Sequence, residues 1–202
     1  RCVNLLKTNF DFLEVFLTPS GTASLEMAMV LIDIQPGDEV IVPSYTFSSS
    51  VNCFVLFGAK PIFCDVDPTT LNIDPNKIEG LITKNTKAIV PIDYAGASCD
   101  IKKIVAIANR YDLKVVLDAA QSLSSKADVH SYVGQGVDLA ISSFHETKNY
   151  SCGEGGCLIV NNPEYLEKAY FIQEKGTNRK QVLDGVVSKY GWVLKGSSYL
   201  LS

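Results

Sequence analysis

AIVPIDYAGASCDIKKIVAIANRYDLKVVLDAAQ, residues 88–121, is the most informative stretch of this sequence for its fold. It contains a short apolar, β-branched run at residues 88–92, a segment of helical periodicity at 101–111 and a second apolar run at 115–117. A strand, a helix and a strand in this order are typical of a βαβ unit with parallel strands. The stretch therefore predicts an α/β protein with a mostly parallel sheet.

The same alternation extends to both sides of this unit. In the helix predicted at residues 22–34, Leu25, Met29 and Ile32 face inward and Gly37 closes the helix. The pattern favours a three-layer α/β/α sandwich with active-site loops at the carboxyl ends of the strands. Further strands are predicted at residues 12–17, 39–42, 61–65, 139–142 and 158–160, and further helices at 46–57, from 74–75 onward and from 163 to about 175.

Domain organisation follows from where this periodicity ends. Residues 1–175 are predicted to form one large domain with an incomplete amino-terminal segment. After residue 176 the periodicity fades through Gly185, Gly191 and Gly196, so residues 176–202 are expected to begin a connection toward a small carboxyl-terminal domain. Because the first residue is Arg1 rather than methionine, we expect the chain to begin inside a longer protein.

Composition excludes several classes of protein. The 202 residues carry a net charge of -4, and the lysines and arginines are scattered, so nucleic-acid binding is not expected. The longest apolar run, residues 51–59, is far below the roughly 20 residues that span a bilayer. The amino terminus lacks the apolar core of a secretory signal. Four of the six cysteines lie in apolar segments, which indicates reduced core thiols in a cytoplasmic protein.

Ser20, Gly21 and Thr22 lie between a predicted strand and a predicted helix. A turn of small residues there leaves backbone N–H groups free at a helix amino terminus, which attracts phosphate. The same residues also suit an ordinary helix N-cap without a ligand. The motif is not a P-loop, because the Gly-Lys-Ser/Thr ending is absent.

Asp118 directly follows the predicted strand at residues 115–117. The carboxyl end of a buried strand is where α/β proteins place ligand-facing groups. An aspartate after a strand is also common as a turn or cap residue. Asp118 is therefore a candidate ligand-binding residue with a structural alternative.

Lys148 lies beyond the predicted strand at residues 139–142, in the segment SSFHETKN at 142–149. A lysine in this position can bond covalently to a carbonyl carbon and move protons at a substrate carbon. A lone lysine is more commonly a solvated surface charge. The glycines of the following segment GEGG, residues 153–156, indicate tight turns or close backbone approach.

Three other kinds of site are not predicted. His130 and His145 lack metal-ligand spacing, so no metal is expected. Ser143 and His145 are not preceded by the Gly-x-Ser-x-Gly turn of a serine hydrolase. A Gly-x-Gly-x-x-Gly motif after the first strand is absent, which argues against a dinucleotide-binding fold.

Six short segments follow one another along the chain: SGT (20–22), PGDEVIVP (36–43), SYTF (44–47), DVD (65–67), DAAQ (118–121) and SSFH (142–145). Each segment is common alone, but the ordered set is specific. Taken in order, they resemble the sugar aminotransferases of the DegT/DnrJ/EryC1/StrS family, which are fold-type I enzymes dependent on pyridoxal 5'-phosphate (PLP). The resemblance extends from about residue 10 to the end.

The resemblance implies a large domain of a fold-type I transferase with a PLP site. It implies an enzyme that moves an amino group from an amino acid, glutamate, to a nucleotide-linked 4-keto-6-deoxy sugar, dTDP-4-keto-6-deoxyglucose, in cell-surface polysaccharide synthesis. It also implies a homodimer with shared active sites. By motif, Lys148 would bond covalently to PLP, Asp118 would pair with the pyridine nitrogen, Gln121 would contact the ring hydroxyl, Phe47 would stack on the ring, and Gly21, Thr22 and Ser143 would hold the phosphate.

Two alternatives to this enzyme stay open on the sequence. A PLP-dependent sugar dehydratase of the same fold carries a histidine in place of the lysine, and the presence of Lys148 argues against it. A truncated, non-catalytic PLP-fold protein is the other, although Asp118, Gln121 and Lys148 are all present. One segment departs from the family pattern: where family members carry an asparagine that reaches the partner subunit's phosphate, this chain has Ser198.

Overall fold

The structure is a computed structural model that describes residues 1–126 and 134–201. His130, which was considered above as a metal ligand, lies outside the described residues. The strands are β1 (Glu14–Thr18), β2 (Glu39–Pro43), β3 (Lys60–Cys64), β4 (Thr86–Ile89), β5 (Lys114–Asp118), β6 (Leu139–Ser143) and β7 (Gly156–Val160). The helices are α1 (Cys2–Phe10), α2 (Gly21–Leu31), α3 (Ser49–Val55), α4 (Pro75–Ile78), α5 (Ile101–Arg110), α6 (Leu166–Gln173) and α7 (Arg179–Leu183), with short 3-10 helices at Glu79–Leu81, Tyr94–Gly96 and Pro163–Tyr165.

The seven strands form one sheet in the order β1-β7-β6-β5-β4-β2-β3. Strands β2 to β6 are parallel to one another, whereas β7 is antiparallel to both β1 and β6. Six strands therefore run in one direction and one runs in the other. The prediction of a mostly parallel sheet is confirmed.

Two hydrophobic clusters lie on opposite faces of this sheet. In β2, Val40 and Val42 belong to the cluster that includes α2 and α6, whereas Ile41 belongs to the cluster that includes α5. This alternation follows from the two-residue period of a strand. Because both faces are covered, β2 is apolar along most of its length. The three-layer α/β/α architecture predicted from the sequence is confirmed.

For helix α2, the sequence pattern predicted the buried face correctly but not the residue at which the helix ends. The predicted inward residues Leu25, Met29 and Ile32 are all buried. The predicted end was wrong, because the helix stops at Leu31 and Asp33 takes the left-handed conformation (φ 57°) that closes it. Gly37 instead lies in the next turn, with φ 94°, immediately before β2.

Other differences from the prediction are concentrated at helices. Helix α1 was not predicted; it buries only Leu6, so its sequence carries a weak apolar pattern. Helix α7 was also not predicted, and none of its residues is buried. The helix predicted from residue 163 begins as a 3-10 turn at Pro163–Tyr165 and continues as α6.

Residues after α6 make contacts with α6 and with the main core. The backbone N–H group of Lys175 donates to the carbonyl oxygen of Ser197 at 3.1 Å, and Tyr199 is buried in the main core. The backbones of Gly176 and Gly196 approach so closely that a Cβ atom on Gly196 would lie 2.3 Å from the Gly176 nitrogen. The division of the chain at residue 175 stays a prediction.

All six cysteines are free thiols, and the four in apolar segments are buried: Cys53, Cys64, Cys99 and Cys157. No helix among the described residues combines the length and apolarity needed to cross a bilayer.

The sheet also explains where a site can form. Parallel strands end at the same edge, so Thr18, Pro43, Asp118 and Ser143, although distant in sequence, end at one edge of the sheet. Strand β7 begins there, because Gly156 pairs with both Thr18 and Ser143. Loops that follow β1, β2, β4, β5 and β6 therefore meet above this edge, as expected for α/β proteins.

Candidate active site

A cavity of about 610 Å³ lies above the carboxyl edge of the sheet. This volume is within the range of small-molecule and cofactor sites. Its walls come from the loops after β1, β2, β4, β5 and β6. The seven residues that the family resemblance singled out all line it: Gly21, Thr22, Phe47, Asp118, Gln121, Ser143 and Lys148.

The turn after β1 supplies one end of the cavity. Ser20 is the N-cap of α2, and its hydroxyl oxygen accepts the N–H group of Ala23 at 3.0 Å. The ordinary capping role that the sequence allowed is therefore present. The N–H groups of Gly21 and Thr22 lie in the first helical turn, where no intrahelical acceptor exists, and they donate to no other group within residues 1–126 and 134–201. The same turn therefore contains both a capping bond and unpaired N–H groups of the kind that attract anions.

Position 21 requires glycine because β6 lies very close to the start of α2. A Cβ atom on Gly21 would lie 2.9 Å from the Cβ atom of Ser143. Gly156, at the start of β7, packs against the same turn, because its own Cβ would lie 2.5 Å from the Gly21 nitrogen. These contacts bring the Ser143 hydroxyl next to the free N–H groups of the helix.

Asp118 ends β5 and is 5% exposed. Its Oδ2 atom accepts the Ser50 hydroxyl at 2.6 Å, and its Oδ1 atom accepts the N–H group of Ala120 at 3.1 Å. Burial raises the pKa of Asp118, whereas the Ser50 hydroxyl, the Ala120 N–H group and the charge of Lys148 lower it. A buried carboxylate of this kind is well suited to a cationic nitrogen on a ligand.

Gln121 is held by its side-chain oxygen. The Oε1 atom accepts the N–H group of Ala95 at 2.8 Å, and the Gln121 carbonyl oxygen accepts the side-chain amide of Asn149 at 3.3 Å. With Oε1 occupied, the Gln121 amide nitrogen is the atom left to donate into the cavity. Gln121 also links the loop after β4 to the loop that carries Lys148.

Lys148 lies in the loop between β6 and β7. Its backbone N–H group donates to the carbonyl oxygen of His145 at 2.9 Å. The base of the loop is closed by two backbone bonds, from Phe144 to Gly155 and from Cys152 to Phe144. The lysine is half-buried and close enough to Asp118 for its charge to lower the pKa of that carboxyl group. Lys148 is therefore not the isolated surface charge that was the alternative.

His145 is fixed beside Lys148. Its Nδ1 atom accepts the N–H group of Thr147 at 3.2 Å. The Nε2 atom faces a Glu154 carboxylate oxygen at 3.5 Å. The imidazole and this carboxylate lie at the rim of the cavity.

Phe47 is 73% exposed although it borders the cavity. Two tyrosines stand near it on adjacent loops: the rings of Tyr45 and Tyr94 are 4.8 Å apart, and their hydroxyl oxygens are 2.9 Å apart. The three aromatic side chains all line the cavity. An exposed phenylalanine in a cavity wall is suited to stacking on a flat ring.

Ser198 and Arg179 lie outside this cavity. Ser198 is exposed and forms an isolated antiparallel bridge with Glu174. Arg179 donates to the Glu174 carboxylate at 3.1 and 3.2 Å. A contact of Ser198 with a partner subunit stays a prediction.

Ser50 and Asp93 are among the polar residues of the cavity that sequence reasoning missed. Ser50 lies within a run of three serines that carries no local signal. Asp93 follows the predicted strand at residues 88–92 just as Asp118 follows its own strand, so the same reasoning could have found it.

The residues of the cavity suit PLP, whose phosphate, pyridine nitrogen, ring hydroxyl and aldehyde need different partners. Unpaired N–H groups would suit the phosphate, a buried carboxylate would suit the ring nitrogen, an amide donor would suit the hydroxyl and an amine would suit the aldehyde. A single buried acid and a lysine would not distinguish PLP from other ligands. The full set in one cavity does.

Fold and site thus define the class: an α/β/α protein with the cofactor cavity of a PLP-dependent transferase. The DegT/DnrJ/EryC1/StrS aminotransferase family model matches residues 13–196, and the chain belongs to that family. Aminotransferases of this family use PLP.

Solved structures agree with this placement. The chain is similar to 3-amino-5-hydroxybenzoic acid synthase (28% identity, 98% of this chain and 50% of that chain, TM-score 0.89). It is similar to NtdA from Bacillus subtilis, a structure with bound cofactor PMP (33% identity, 98% and 43%, TM-score 0.87). It is also similar to an aminotransferase from Psychrobacter cryohalolentis (30% identity, 98% and 51%, TM-score 0.91). The chain spans about half the length of these structures.

Proposed function

We propose that the protein is a PLP-dependent aminotransferase that moves an amino group from glutamate to a nucleotide-linked 4-keto-6-deoxy sugar. The single observation that carries the proposal is the meeting of Lys148 and Asp118 in one cavity beside the free N–H groups of Gly21 and Thr22. Overall, an amino acid and a keto sugar are converted into a 2-oxo acid and an amino sugar.

Each residue of the cavity has a role in this proposal. Lys148 bonds covalently to PLP, and its amine moves a proton at the substrate carbon in both half-reactions. Bound PLP supplies an electron sink for the electrons of the broken C–H bond. Asp118 keeps the ring nitrogen protonated, because a buried carboxylate favours a neighbouring cation. Gln121 donates to the ring hydroxyl and Phe47 covers one ring face.

The phosphate is assigned to the turn after β1. Gly21 and Thr22 offer backbone N–H groups at the start of α2, and Ser143 offers a hydroxyl group. The helix dipole adds to the attraction for a dianion. This end of the cavity is fixed by the packing of Gly21 and Gly156, so it anchors the cofactor while the other end reacts.

The proposed substrate is dTDP-4-keto-6-deoxyglucose. Support comes from the sequence: residues 143–150 (SFHETKNY) and 174–179 (EKGTNR) resemble the dTDP-4-amino-4,6-dideoxygalactose transaminase of cell-surface polysaccharide synthesis. The free thiols of all six cysteines fit the cytoplasmic location of such a reaction. Lys148 stands where a sugar dehydratase of the same fold would need a histidine, which favours amino transfer.

A homodimer with shared active sites is part of the proposal. Among the described residues that line the cavity, Lys148 is the only lysine or arginine. A nucleotide diphosphate and an amino-acid carboxylate both require cationic partners. We therefore propose that these come from a second copy of the chain, with Ser198 reaching the phosphate of the neighbouring site.

The decisive experiment records the absorbance of the full-length protein with PLP before and after borohydride reduction. We expect the wild-type protein to show an absorbance band at the edge of the visible range. After reduction, the peptide that contains Lys148 should carry a stable mass increase from the attached cofactor. Lys148→Ala should lose both. Lys84→Ala is the matched control, because Lys84 is an exposed lysine just before β4 at the opposite edge of the sheet.

Equal bands and equal labelling in the wild-type protein and Lys148→Ala would remove Lys148 from its role. The substrate is tested separately by incubating dTDP-4-keto-6-deoxyglucose with glutamate and detecting the amino sugar by mass spectrometry. A protein that binds PLP through Lys148 but aminates other keto sugars only would contradict the substrate and leave the aminotransferase assignment intact.

A further inference from the structure

Asp93 is a second buried carboxylate in the cavity, and the mechanism above does not use it. It lies just beyond β4 and is 1% exposed. Its Oδ1 atom accepts the N–H group of Cys99 at 2.8 Å, and its Oδ2 atom accepts the Ser122 hydroxyl at 3.0 Å. Both oxygens are therefore occupied by donors from two different segments.

The bond from Cys99 closes the loop after β4 on itself, and the bond from Ser122 joins that loop to the loop after β5. The backbones meet at the same place, because Asp93 donates its N–H group to the Asp118 carbonyl oxygen at 3.1 Å and Asp118 donates to Pro91 at 2.9 Å. The loop after β4 also carries Ala95, whose N–H group holds Gln121. The position of Gln121 thus depends on the segment that Asp93 ties down.

Burial of Asp93 makes the charged form of its carboxyl group unfavourable. Burial raises its pKa, the charge of Asp118 raises it further, and the bonds from Cys99 and Ser122 lower it. Within residues 1–126 and 134–201 no lysine or arginine forms an ion pair with it. A buried acid that lacks such a partner destabilises the folded protein unless its hydrogen bonds compensate. Selection for stability alone does not account for an ionisable group here.

We infer that Asp93 is a positioning residue, whose carboxylate locks the loops after β4 and β5 together and thereby fixes the direction in which Asp118 and Gln121 present their polar atoms to the cofactor. A carboxylate suits this task because it accepts on both oxygens, and both of its partners are donors. The inference rests on the proposed function, since the groups that Asp93 aligns are those assigned to PLP.

The test compares Asp93→Ala and Asp93→Asn with wild type in the full-length protein. The readouts are the PLP dissociation constant from an absorbance titration and the pH midpoint of the absorbance of bound PLP. We expect Asp93→Ala to weaken PLP binding about tenfold, since two buried hydrogen bonds are lost. Its pH midpoint should differ from that of wild type, because a misplaced Asp118 changes the charge at the ring nitrogen, to which the absorbing system is coupled. Asp93→Asn keeps an acceptor for Cys99 and a polar contact with Ser122, so it should stay within about threefold of wild type.

Two further variants distinguish an effect on the alignment of the two loops from an effect on the stability of the fold. Ser122→Ala removes one of the two bonds and should weaken PLP binding about threefold. Glu39→Ala is the matched control: Glu39 is also a buried carboxylate bonded to a hydroxyl, that of Thr83, but it lies at the opposite edge of the sheet. It should lower the unfolding temperature of the cofactor-free protein without changing the PLP spectrum.

Each outcome bears on a different claim. If the wild-type protein does not bind PLP, the proposed function fails and this inference fails with it. If wild type binds PLP and Asp93→Ala matches it in affinity and pH midpoint, only the inference is overturned. Equal losses in Asp93→Asn and Asp93→Ala would also overturn it, because the charge of Asp93 and not its alignment of the loops would then matter.

Discussion

The Ser50 hydroxyl donates a hydrogen bond of 2.6 Å to the Oδ2 atom of Asp118, although the two residues lie 68 positions apart in sequence. Ser50 belongs to α3, after the second strand, and Asp118 ends the fifth. Both residues are buried. The bond stabilises the charged form of the carboxylate and sets its rotation, so a residue without any sequence signal orients the Asp118 side chain.

The first prediction concerns this bond. In Ser50→Ala we expect the pKa of Asp118 to rise, because a group that lowers it is removed. Asp118 then ionises at higher pH, so the pH above which PLP binds tightly should also rise. PLP affinity at neutral pH should fall about three- to tenfold, as measured by absorbance titration across pH. Ser48→Ala is the control, since Ser48 is exposed and makes no side-chain cap bond. Identical titrations of Ser50→Ala and wild type would contradict the role of the bond.

The second prediction concerns the stability cost of Asp118. Its pKa in the folded protein lies above the usual 3.8, so the folded state binds the proton more tightly than the unfolded state. Wild-type stability without cofactor should therefore fall as pH rises from about 4 through the raised pKa. Asp118→Asn lacks this titration and should be more stable at pH 7 by about 1 kcal/mol or more.

Urea unfolding between pH 4 and pH 8 measures this difference. The difference in stability should shrink toward pH 4, where the wild-type carboxyl group is protonated and therefore uncharged, like the asparagine amide. The same variant should lose PLP affinity, because the ring nitrogen loses its anion. A variant that is less stable than wild type at pH 7 would show that burial of the charge is compensated in the cofactor-free protein.

The third prediction concerns the close approach of Gly21 to Ser143. In Gly21→Ala the new Cβ would lie 2.9 Å from a Cβ atom that is fixed to the β6 backbone, so strand or helix must shift. We expect a loss of about 1–3 kcal/mol in the free energy of unfolding, together with weaker PLP binding. Gly80→Ala is the matched control, because nothing lies within 4 Å of the Cβ it would gain. Unchanged PLP affinity in Gly21→Ala would argue against a phosphate site at this turn.

The fourth prediction concerns Phe47. Because its side chain is 73% exposed, Phe47→Ala should change the unfolding temperature of the cofactor-free protein very little. PLP affinity should fall about fivefold or more, since stacking on an aromatic ring is lost, and Phe47→Tyr should restore most of it. Leu56→Ala is the control, a 69% exposed residue at the end of α3. Equal PLP affinities for Phe47→Ala and Leu56→Ala would exclude stacking by Phe47.

Much of the fold could be predicted because its signals are local. The apolar runs of β2, β5 and β6 are short, continuous and followed by small or polar residues, which is typical of strands buried on both faces. Helix ends were less predictable. Asp33 ends α2 because it adopts a left-handed backbone, and this depends on how the chain turns toward β2 rather than on glycine, which the sequence suggested.

The candidate site was predictable only where a motif is continuous in sequence. Segments such as DAAQ and SSFHETK carry their pattern in consecutive residues, so Asp118, Gln121 and Lys148 could be named without coordinates. Ser50 carries no local signal, and its contact with Asp118 spans 68 positions. Asp93 could have been named from its place after a strand, but its contact with Ser122, 29 positions away, is recorded by no local pattern.

The sequence by itself determined the α/β alternation, the family and the seven residues with which a PLP site was predicted. These follow from periodicity and from ordered motifs, which depend on neighbours along the chain. Only the tertiary structure decided that the motifs meet in one cavity, that Ser50 orients Asp118 and that Asp93 joins two loops beneath it. The physical reason is that parallel strands bring the ends of distant segments to one edge of a sheet, where burial and hydrogen bonding between them set the charge and direction of each group.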